Sequence, residues 1–331
     1  MTQRYKVVIT DAITDELAPE RRVLDDVADV VSLDASSEEG LQGGIEDADA
    51  IMLYHYVSIT RLTLDRLEQC KLIVRGGVGV DNVDHKYARQ CGIPVANIPD
   101  YGTEDVADSA IGMILTLTRG VAYLNSQLRA GNGPWGYQLA LPQQRLRGRV
   151  LAIVGLGRIG TAVALRGKAL GMDVVFYDPY VQDGKDKSIG VRRAEELGEL
   201  LEQAHVLTLH CSLTDETHHM IDADAIARMP RGSYLVNTCR GGVVVTDAIP
   251  DAIAAEHLLG ASLDVLETEP PPDDDPLIIA WRNPEHPAHH RVVINPHTAF
   301  YCEQGFEDIR TKGATACRRA VLGQPLRNIV N

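Results

Sequence analysis

Aromatic side chains are scarce in this sequence, with 3 Phe, 2 Trp and 11 Tyr among 331 residues. A core built on stacked aromatic rings is excluded, and any place where two aromatics adjoin stands out. Cysteine is sparse as well. The six cysteines, at 70, 91, 211, 239, 302 and 317, form no C-x-x-C. That argues against a disulfide framework or a thiolate zinc site and fits a reducing compartment. No block of Lys and Arg offsets the net charge of −14, so a phosphate backbone would be repelled and nucleic acid is not an expected partner. No apolar run is long enough to span a bilayer, and the opening MTQRYKVVIT enters a strand-like stretch with no apolar signal core. The expectation is a cytoplasmic protein with no membrane contact.

What is present is a regular alternation. The length exceeds one ordinary core and predicts two domains. YKVVIT, DVVSLD, AIMLYHY, KLIVRG and IPVANI form a first series of strand-like runs, with helical patterns such as TRLTLDRLEQC between them. A second series begins near residue 150 with RVLAIVG, DVVFYD, HVLTLHC, SYLVNTC, GASLDV and RVVINP. These runs are rich in Val, Ile and Leu with little strict alternation, the pattern of strands buried on both faces of a parallel α/β sheet. A long helical stretch from Glu104 to about Arg129 and an irregular arm, GNGPWGYQLALPQQ, separate the series. PPPDDDP, at 270–276, reads as a surface loop. The chain is expected to cross into its second domain near 103 and return after about 298, giving 1–102 plus 298–331 and 103–297.

The stretch VLAIVGLGRIGTAVALRGKALGMDVVFYDPY says most about chemistry. An apolar strand ends at Gly155, and Gly157 and Gly160 complete G-x-G-x-x-G. The first glycine permits a tight turn, the second lets a pyrophosphate approach the backbone, and the third lets helix pack on strand. Arg158 and Ile159 open that helix, whose free N–H groups favour an anion. Arg158 either reaches the pyrophosphate or is a solvated residue at a helix start. A second strand ends in Asp178, placed to bind both adenosine ribose hydroxyls of NAD and to repel the 2′-phosphate of NADP. NAD(H) is therefore expected in preference to NADP(H).

Three later strand-like runs each end in a useful polar group: YLVNTCRGG in Arg240, GASLDVLETEP in Asp264 and Glu269, and VVINPHTAF in His297. In open α/β sheets ligands bind beyond the carboxyl ends of the strands, so these groups reach the edge that holds the glycine loop. Arginine can fork onto a carboxylate and polarise an adjacent carbonyl. Histidine can give that carbonyl oxygen a proton or take one back. A glutamate bonded to the imidazole holds its orientation and favours its charged form. Asp264 can accept a hydrogen bond from a nicotinamide carboxamide. Taken singly, each has a plainer reading: a surface arginine, a loop carboxylate, a turn histidine after proline. The histidines of HPAHH and of THH at 218–219 lie in loops without matched ligands, and no metal is expected.

With GLGRIG…YDPY, LVNTCRGG, SLDVLETEP and NPHTA in this order and spacing, the chain resembles the D-isomer-specific 2-hydroxyacid dehydrogenase family over its full length. It is most similar to the C-terminal-binding-protein branch, through VLTLHCSLTDETHHMI and the aromatic pair in HTAFYCEQ. The resemblance implies two doubly wound parallel-sheet domains, a flavodoxin-like substrate domain and a Rossmann cofactor domain, with an active-site cleft that closes about hinges near 100–104 and 295–300. It implies Arg240, Glu269 and His297 as the catalytic set, Leu213 and Thr217 on the adenosine side, and Thr238 and Cys239 along the nicotinamide. In IVRGGVGVDNVD it gives Val78 and Gly79 backbone N–H groups for the substrate carboxylate, with Arg75 touching substrate. Tyr54 and His55 match a strand end facing the cleft, although Tyr54 can equally be a core aromatic. A homodimer is implied, with the long helix and the Trp135 arm at its interface.

Two departures from the family pattern stand out. Cys239 replaces the usual alanine, so a thiol lies beside the catalytic arginine; it either packs as a small apolar residue or makes the site sensitive to oxidants. Phe300 stands where the C-terminal-binding-protein branch has tryptophan, keeping an apolar wall. Phe300 and Tyr301 point to a substrate with an uncharged side chain. Because RNIVN follows so soon after the last helix, control by serine through a further C-terminal domain is not expected. The leading expectation is an oxidoreductase, an NAD(H)-linked 2-oxo acid reductase or D-2-hydroxyacid dehydrogenase. The alternative is an NAD(H)-sensing binding module.

Overall fold

The computed structural model describes residues 4–140 and 143–331. By compactness the chain separates into two units, one of residues 1–102 with 302–331 and one of residues 103–301. The return therefore lies at Cys302 rather than near 298. Residues 298 and 299 stay with the second unit because their N–H groups are bonded to Asp264, as described below.

The first unit is a five-stranded sheet of β1 (Tyr5–Ile9), β2 (Ala28–Ser32), β3 (Ala50–Leu53), β4 (Ile73–Arg75) and β5 (Val95–Asn97). Every pairing is parallel and the order is β2-β1-β3-β4-β5, a doubly wound arrangement that reverses between β1 and β3. Val7, Val8 and Ile9 are completely buried, as are Ile51, Leu53, Ile73 and Val74, which explains the unbroken apolar runs. The last helix, Glu303–Val321, packs on β3 and β4. Gly313 makes that approach possible, since a Cβ there would come within 2.7 Å of Met52 Cε. Arg310 fastens the helix to Ala18–Leu24: its guanidinium donates to Glu20 Oε1 and Oε2 at 2.7 Å each and to both oxygens of Asp15.

The second unit is a seven-stranded parallel sheet of β6 (Val150–Val154), β7 (Asp173–Tyr177), β8 (Arg192–Arg193), β9 (Val206–Leu209), β10 (Ser233–Asn237), β11 (Leu258–Leu263) and β12 (Val292–Ile294). Its order, β12-β11-β10-β9-β6-β7-β8, reverses between β6 and β9. The carboxyl ends of those two strands therefore flank the crevice where such sheets bind ligands. The expected single helix is two, Thr103–Thr118 and Val121–Arg129. Gly120 adopts a left-handed conformation, φ +62°, between them, and the Thr118 hydroxyl donates to Ile114 O at 2.7 Å in the last turn of the first. Strand β8 has no counterpart among the apolar runs, because it is two arginines on the sheet edge. Among the described residues no helix is long and apolar enough to cross a membrane.

Candidate functional site

The glycine loop joins β6 to the helix Arg158–Ala169. Gly155 has φ +88°, and a Cβ there would sit 2.8 Å from Cys211 N and from His210 C and O. A Cβ on Gly160 would run into Gly155 O. Gly157 differs: nothing lies within 4 Å of the position a Cβ would take. The protein's own packing demands the first and third glycines, while the open space over the second suits the approach of a pyrophosphate. Asp178, just past β7, accepts Leu156 N–H at 2.8 Å through Oδ2 and Tyr180 N–H at 3.0 Å through Oδ1. Its carboxylate thus ties the glycine loop to the second strand. Arg158 is exposed at the helix start.

Across the crevice, Thr217 Oγ1 donates to Ser212 O at 2.7 Å and accepts Thr214 N–H at 2.8 Å, closing the loop that carries Leu213. Thr238 is buried, and its hydroxyl has no hydrogen-bond partner among the described residues. A buried hydroxyl of this kind is costly unless something bonds it, so with the open space over Gly157 it fits a polar ligand along this edge. His210, which the sequence reading passed over, is half-buried here; desolvation of its ring pushes its pKa down to about 3, and its Nε2 lies 2.9 Å from Thr208 Oγ1.

Arg240 follows β10 on a turn clamped by Asn237, whose Oδ1 accepts Cys239 N–H at 3.0 Å and whose Nδ2 donates to Arg240 O at 2.9 Å. The Arg240 Nη1 donates to Cys239 O at 2.8 Å. Gly241 lies so close to the 266–267 backbone that a Cβ would overlap Leu266 C and O. The turn bearing Arg240 and the loop bearing Glu269 are therefore pressed together. Asn237 and Gly241 carry no catalytic chemistry of their own, and nothing in the sequence marked them as positioning groups.

Glu269 Oε1 accepts Leu266 N–H at 2.8 Å, and its Oε2 lies 2.7 Å from His297 Nδ1. Burial opposes ionisation of Glu269, yet the bonds from His297 and Leu266 outweigh it and hold its pKa below the ordinary carboxylate value. His297 sits at φ +54°, a conformation side chains seldom adopt. It is held there by its N–H bond to Asp264 O at 2.8 Å. Asp264, expected to face a nicotinamide, is 2% exposed, and its carboxylate accepts Thr298 N–H at 2.9 Å and Ala299 N–H at 3.0 and 3.1 Å. Its evident task is to shape the turn that aims His297. Burial raises its pKa, against those backbone bonds. The Phe300 ring stands edge-on to His297, 6.2 Å between centroids.

The residues expected from the first unit are placed as follows. Arg75 ends β4, buried, with Nη1 donating to Gly76 O at 3.1 Å. Val78 is partly exposed, and its carbonyl accepts Asn97 Nδ2 at 2.7 Å; Gly79 follows it, half-buried. Tyr54 is 1% exposed, its ring against Gly76, so the structure places it in the core and not at a substrate-facing strand end. The histidine loops also differ from expectation. His218 and His219 stack at 3.8 Å, and their Nε2 atoms lie 3.6 and 2.9 Å from Glu267 Oε1. A third candidate ligand is thus supplied from a distant loop, all three atoms within 4.8 Å of one another.

Residues 111–299 match the family model for the NAD binding domain of D-isomer specific 2-hydroxyacid dehydrogenases. The chain is 34% identical to C-terminal-binding protein 1 of Caenorhabditis elegans over 94% of its length, covering 43% of that protein. It is 32% identical to D-3-phosphoglycerate dehydrogenase of Methanocaldococcus jannaschii over 98% of its length, covering 59% of that one. The chain thus spans about half the length of these curated relatives. Its structure superposes on that of a D-lactate dehydrogenase from Aquifex aeolicus, complexed with NAD and lactic acid, with a TM-score of 0.84, 31% identity and 96% of both chains covered. The chain belongs to the D-isomer specific 2-hydroxyacid dehydrogenase family.

Proposed function

We propose that this chain is an NAD(H)-dependent oxidoreductase that interconverts a small 2-oxo acid and its D-2-hydroxy acid. The observation that carries the reading is the Glu269–His297 pair, bonded at 2.7 Å, on the sheet edge that also bears the glycine loop and the Arg240 turn. A pure cofactor sensor needs neither a paired imidazole nor a clamped arginine.

Gly155, Gly157 and Gly160 with the helix start at Arg158 and Ile159 would hold the pyrophosphate, Asp178 the adenosine ribose, and Thr238, Cys239 and Asp264 the nicotinamide side. When bound, NADH supplies the hydride. Arg240 forks onto the substrate carboxylate and draws electron density from the neighbouring carbonyl. His297 gives its proton to the carbonyl oxygen during reduction and takes it from the hydroxyl in reverse. Glu269 keeps the ring oriented and offsets the charge it carries when protonated. Phe300 supplies an apolar wall, which favours 2-oxo acids with aliphatic, thioether or aromatic side chains. NAD(H) is preferred over NADP(H) because the Asp178 carboxylate repels a 2′-phosphate. A second copy of the chain is the proposed partner at the arm around Trp135.

The test is NADH oxidation with a panel of such 2-oxo acids. Turnover that collapses in His297→Ala supports the reading. NADH bound tightly with no panel member reduced would overturn it in favour of a cofactor-sensing binding module, the alternative that likeness to C-terminal-binding protein 1 raises.

A further inference from the structure

His218 and His219 adjoin in the loop after β9, and Glu267 lies beyond β11, 48 residues past His219. In an extended chain two successive side chains point to opposite sides. Here they stand together, the rings stacked 3.8 Å apart at an angle of 27°. The backbone of His219 brings the second ring round: its φ is +54°, a region that residues other than glycine seldom enter. Its N–H, bonded to Gly242 O at 2.8 Å, keeps it there. Strain of this kind persists only where the surroundings over-determine it, and it collects at functional sites. A different constraint brings in Glu267. A Cβ on Gly241 would come within 2.2 Å of Glu267 N, so the turn after β10 and the 266–267 backbone pack without a gap.

We infer that His218, His219 and Glu267 form a Zn²⁺ site that clamps the loop after β9 to the loop after β11. The donor set carries the assignment. Two imidazole nitrogens and a carboxylate oxygen suit zinc and its neighbours cobalt and nickel. They are a poor set for magnesium or calcium, which take oxygen ligands. A hydrogen bond from His219 to Glu267 explains one of the two contacts. It leaves unexplained the second imidazole, stacked on the first with its own Nε2 3.6 Å from the same carboxylate oxygen.

The spacing fits such an ion. In a tetrahedral zinc site with bonds of about 2.0–2.1 Å, ligand atoms lie roughly 3.3–3.5 Å apart. The separations of 3.6 and 2.9 Å from Glu267 Oε1 bracket that value, and all three atoms fall within 4.8 Å of one another. The ion takes the place of the proton that His219 Nε2 donates to Glu267. The His218, His219 and Glu267 side chains are 52, 40 and 46% exposed. An ion therefore enters without opening the fold, and water completes its fourth position.

The clamp follows from what each ligand is attached to. Glu267 stands two residues before Glu269, whose Oε1 accepts Leu266 N–H. The two histidines close the loop that carries Leu213 and Thr217, and that loop is bonded to the arginine turn through Gly242 O. A bound ion fixes these segments against one another, and because the three ligands come together only in the folded chain, it stabilises that state. The site does not rest on the proposed function, since none of its three ligands takes part in that reaction.

The experiment titrates the chelator-treated full chain with Zn²⁺ by calorimetry, follows thermal unfolding in parallel, and uses Co²⁺ as a spectroscopic stand-in. The expected result is one Zn²⁺ per chain with a Kd of about 1–10 μM. With free zinc about tenfold above that Kd, the unfolding midpoint should rise by about 3–6 °C, and EDTA should reverse the rise. Bound Co²⁺ should show d–d absorption with no cobalt–thiolate charge-transfer band. His219→Asn tolerates the left-handed backbone, and Glu267→Gln keeps the side-chain shape. Each of these, and His218→Ala, should weaken binding by at least about tenfold. His297→Ala and Cys91→Ser remove the Glu269–His297 pair and an exposed thiol, and both should bind zinc as the parent does. No uptake at about 1 mM Zn²⁺, a thiolate band, or undiminished binding in the three ligand variants overturns the site. Binding lost in His297→Ala also overturns it, by putting the metal at the Glu269 pair. Zinc bound at the three ligands with an unmoved midpoint overturns the clamp.

Discussion

His297 Nδ1 lies 2.7 Å from Glu269 Oε2, and the other oxygen of that carboxylate accepts Leu266 N–H at 2.8 Å. The imidazole is thus held by a group that is itself anchored to backbone.

Replacing His297 by Ala should lower kcat for 2-oxo acid reduction by about 10²–10⁴-fold, the usual worth of a positioned acid, with NADH binding little changed. Glu269→Gln keeps the shape and removes the charge. Its fall in kcat should be smaller, and any acid-side loss of activity that follows protonation of Glu269 should disappear. In the unsubstituted protein, the folded-state pKa of Glu269 is below its ordinary 4.5. Its favourable contribution is therefore complete above that value and lost only as pH falls through the depressed one. Steady-state profiles from both variants check this; a Glu269→Gln profile superimposable on that of the parent would refute the pairing.

Asp178 bonds Leu156 N–H and Tyr180 N–H, so it shapes the loop; under the proposed function it also selects the cofactor. Asp178→Ser should raise the KM for NADH by about tenfold, in line with the roughly 1.5–3 kcal/mol of a charged hydrogen bond, and raise it less for NADPH. The ratio of kcat/KM for the two cofactors is the measurement. A parent enzyme that already prefers NADPH would remove the basis for the prediction.

Arg310 is 5% exposed and Glu20 is fully buried. Removing one partner leaves the other as an uncompensated buried charge, so Arg310→Ala should cost about 3–5 kcal/mol and show as a lower unfolding midpoint in urea. The Arg310 bond holds the pKa of Asp15 below its ordinary 3.8. That part of the stability is present above pH 3.8 and lost as pH falls through the depressed value, so Arg310→Ala should flatten the loss of stability on acidification. An unchanged midpoint would show that the network is dispensable.

The sheets were legible because strands covered on both faces must be largely apolar, as Val7–Ile9 and Leu151–Val154 are. Arg192–Arg193 was not, since a two-residue edge strand needs no apolar side chain. The glycine loop and the Arg240, Glu269 and His297 strand ends were legible because each follows an apolar run at a spacing with a chemical reason. The neighbours of Asp264 were not legible: nothing in SLDVLETEP tells that its oxygens meet the N–H groups of Thr298 and Ala299. The meeting of Glu267 with His218 and His219 was hidden for a related reason. Register between parallel strands separated by a crossover, and the approach of loops beyond them, are properties of packing that no local pattern records.

Trp135 is 90% exposed and Tyr137 86%, in the arm that follows the helix Val121–Arg129, where Val121 and Leu128 are also exposed. In a chain with only 2 Trp and 3 Phe, so much apolar surface on one arm marks a protein contact, and aromatic anchors of this kind dominate such contacts. The chain should sediment as a dimer. Trp135→Asp should shift it towards monomer by raising the dimer Kd about tenfold to a hundredfold, as expected for loss of an anchor worth roughly 2 kcal/mol or more. NADH binding should persist, because Trp135 lies outside the glycine loop and the strand ends. Sedimentation velocity across a concentration series reads the shift directly; a parent chain that stays monomeric at the highest concentration would leave the arm without the partner proposed for it.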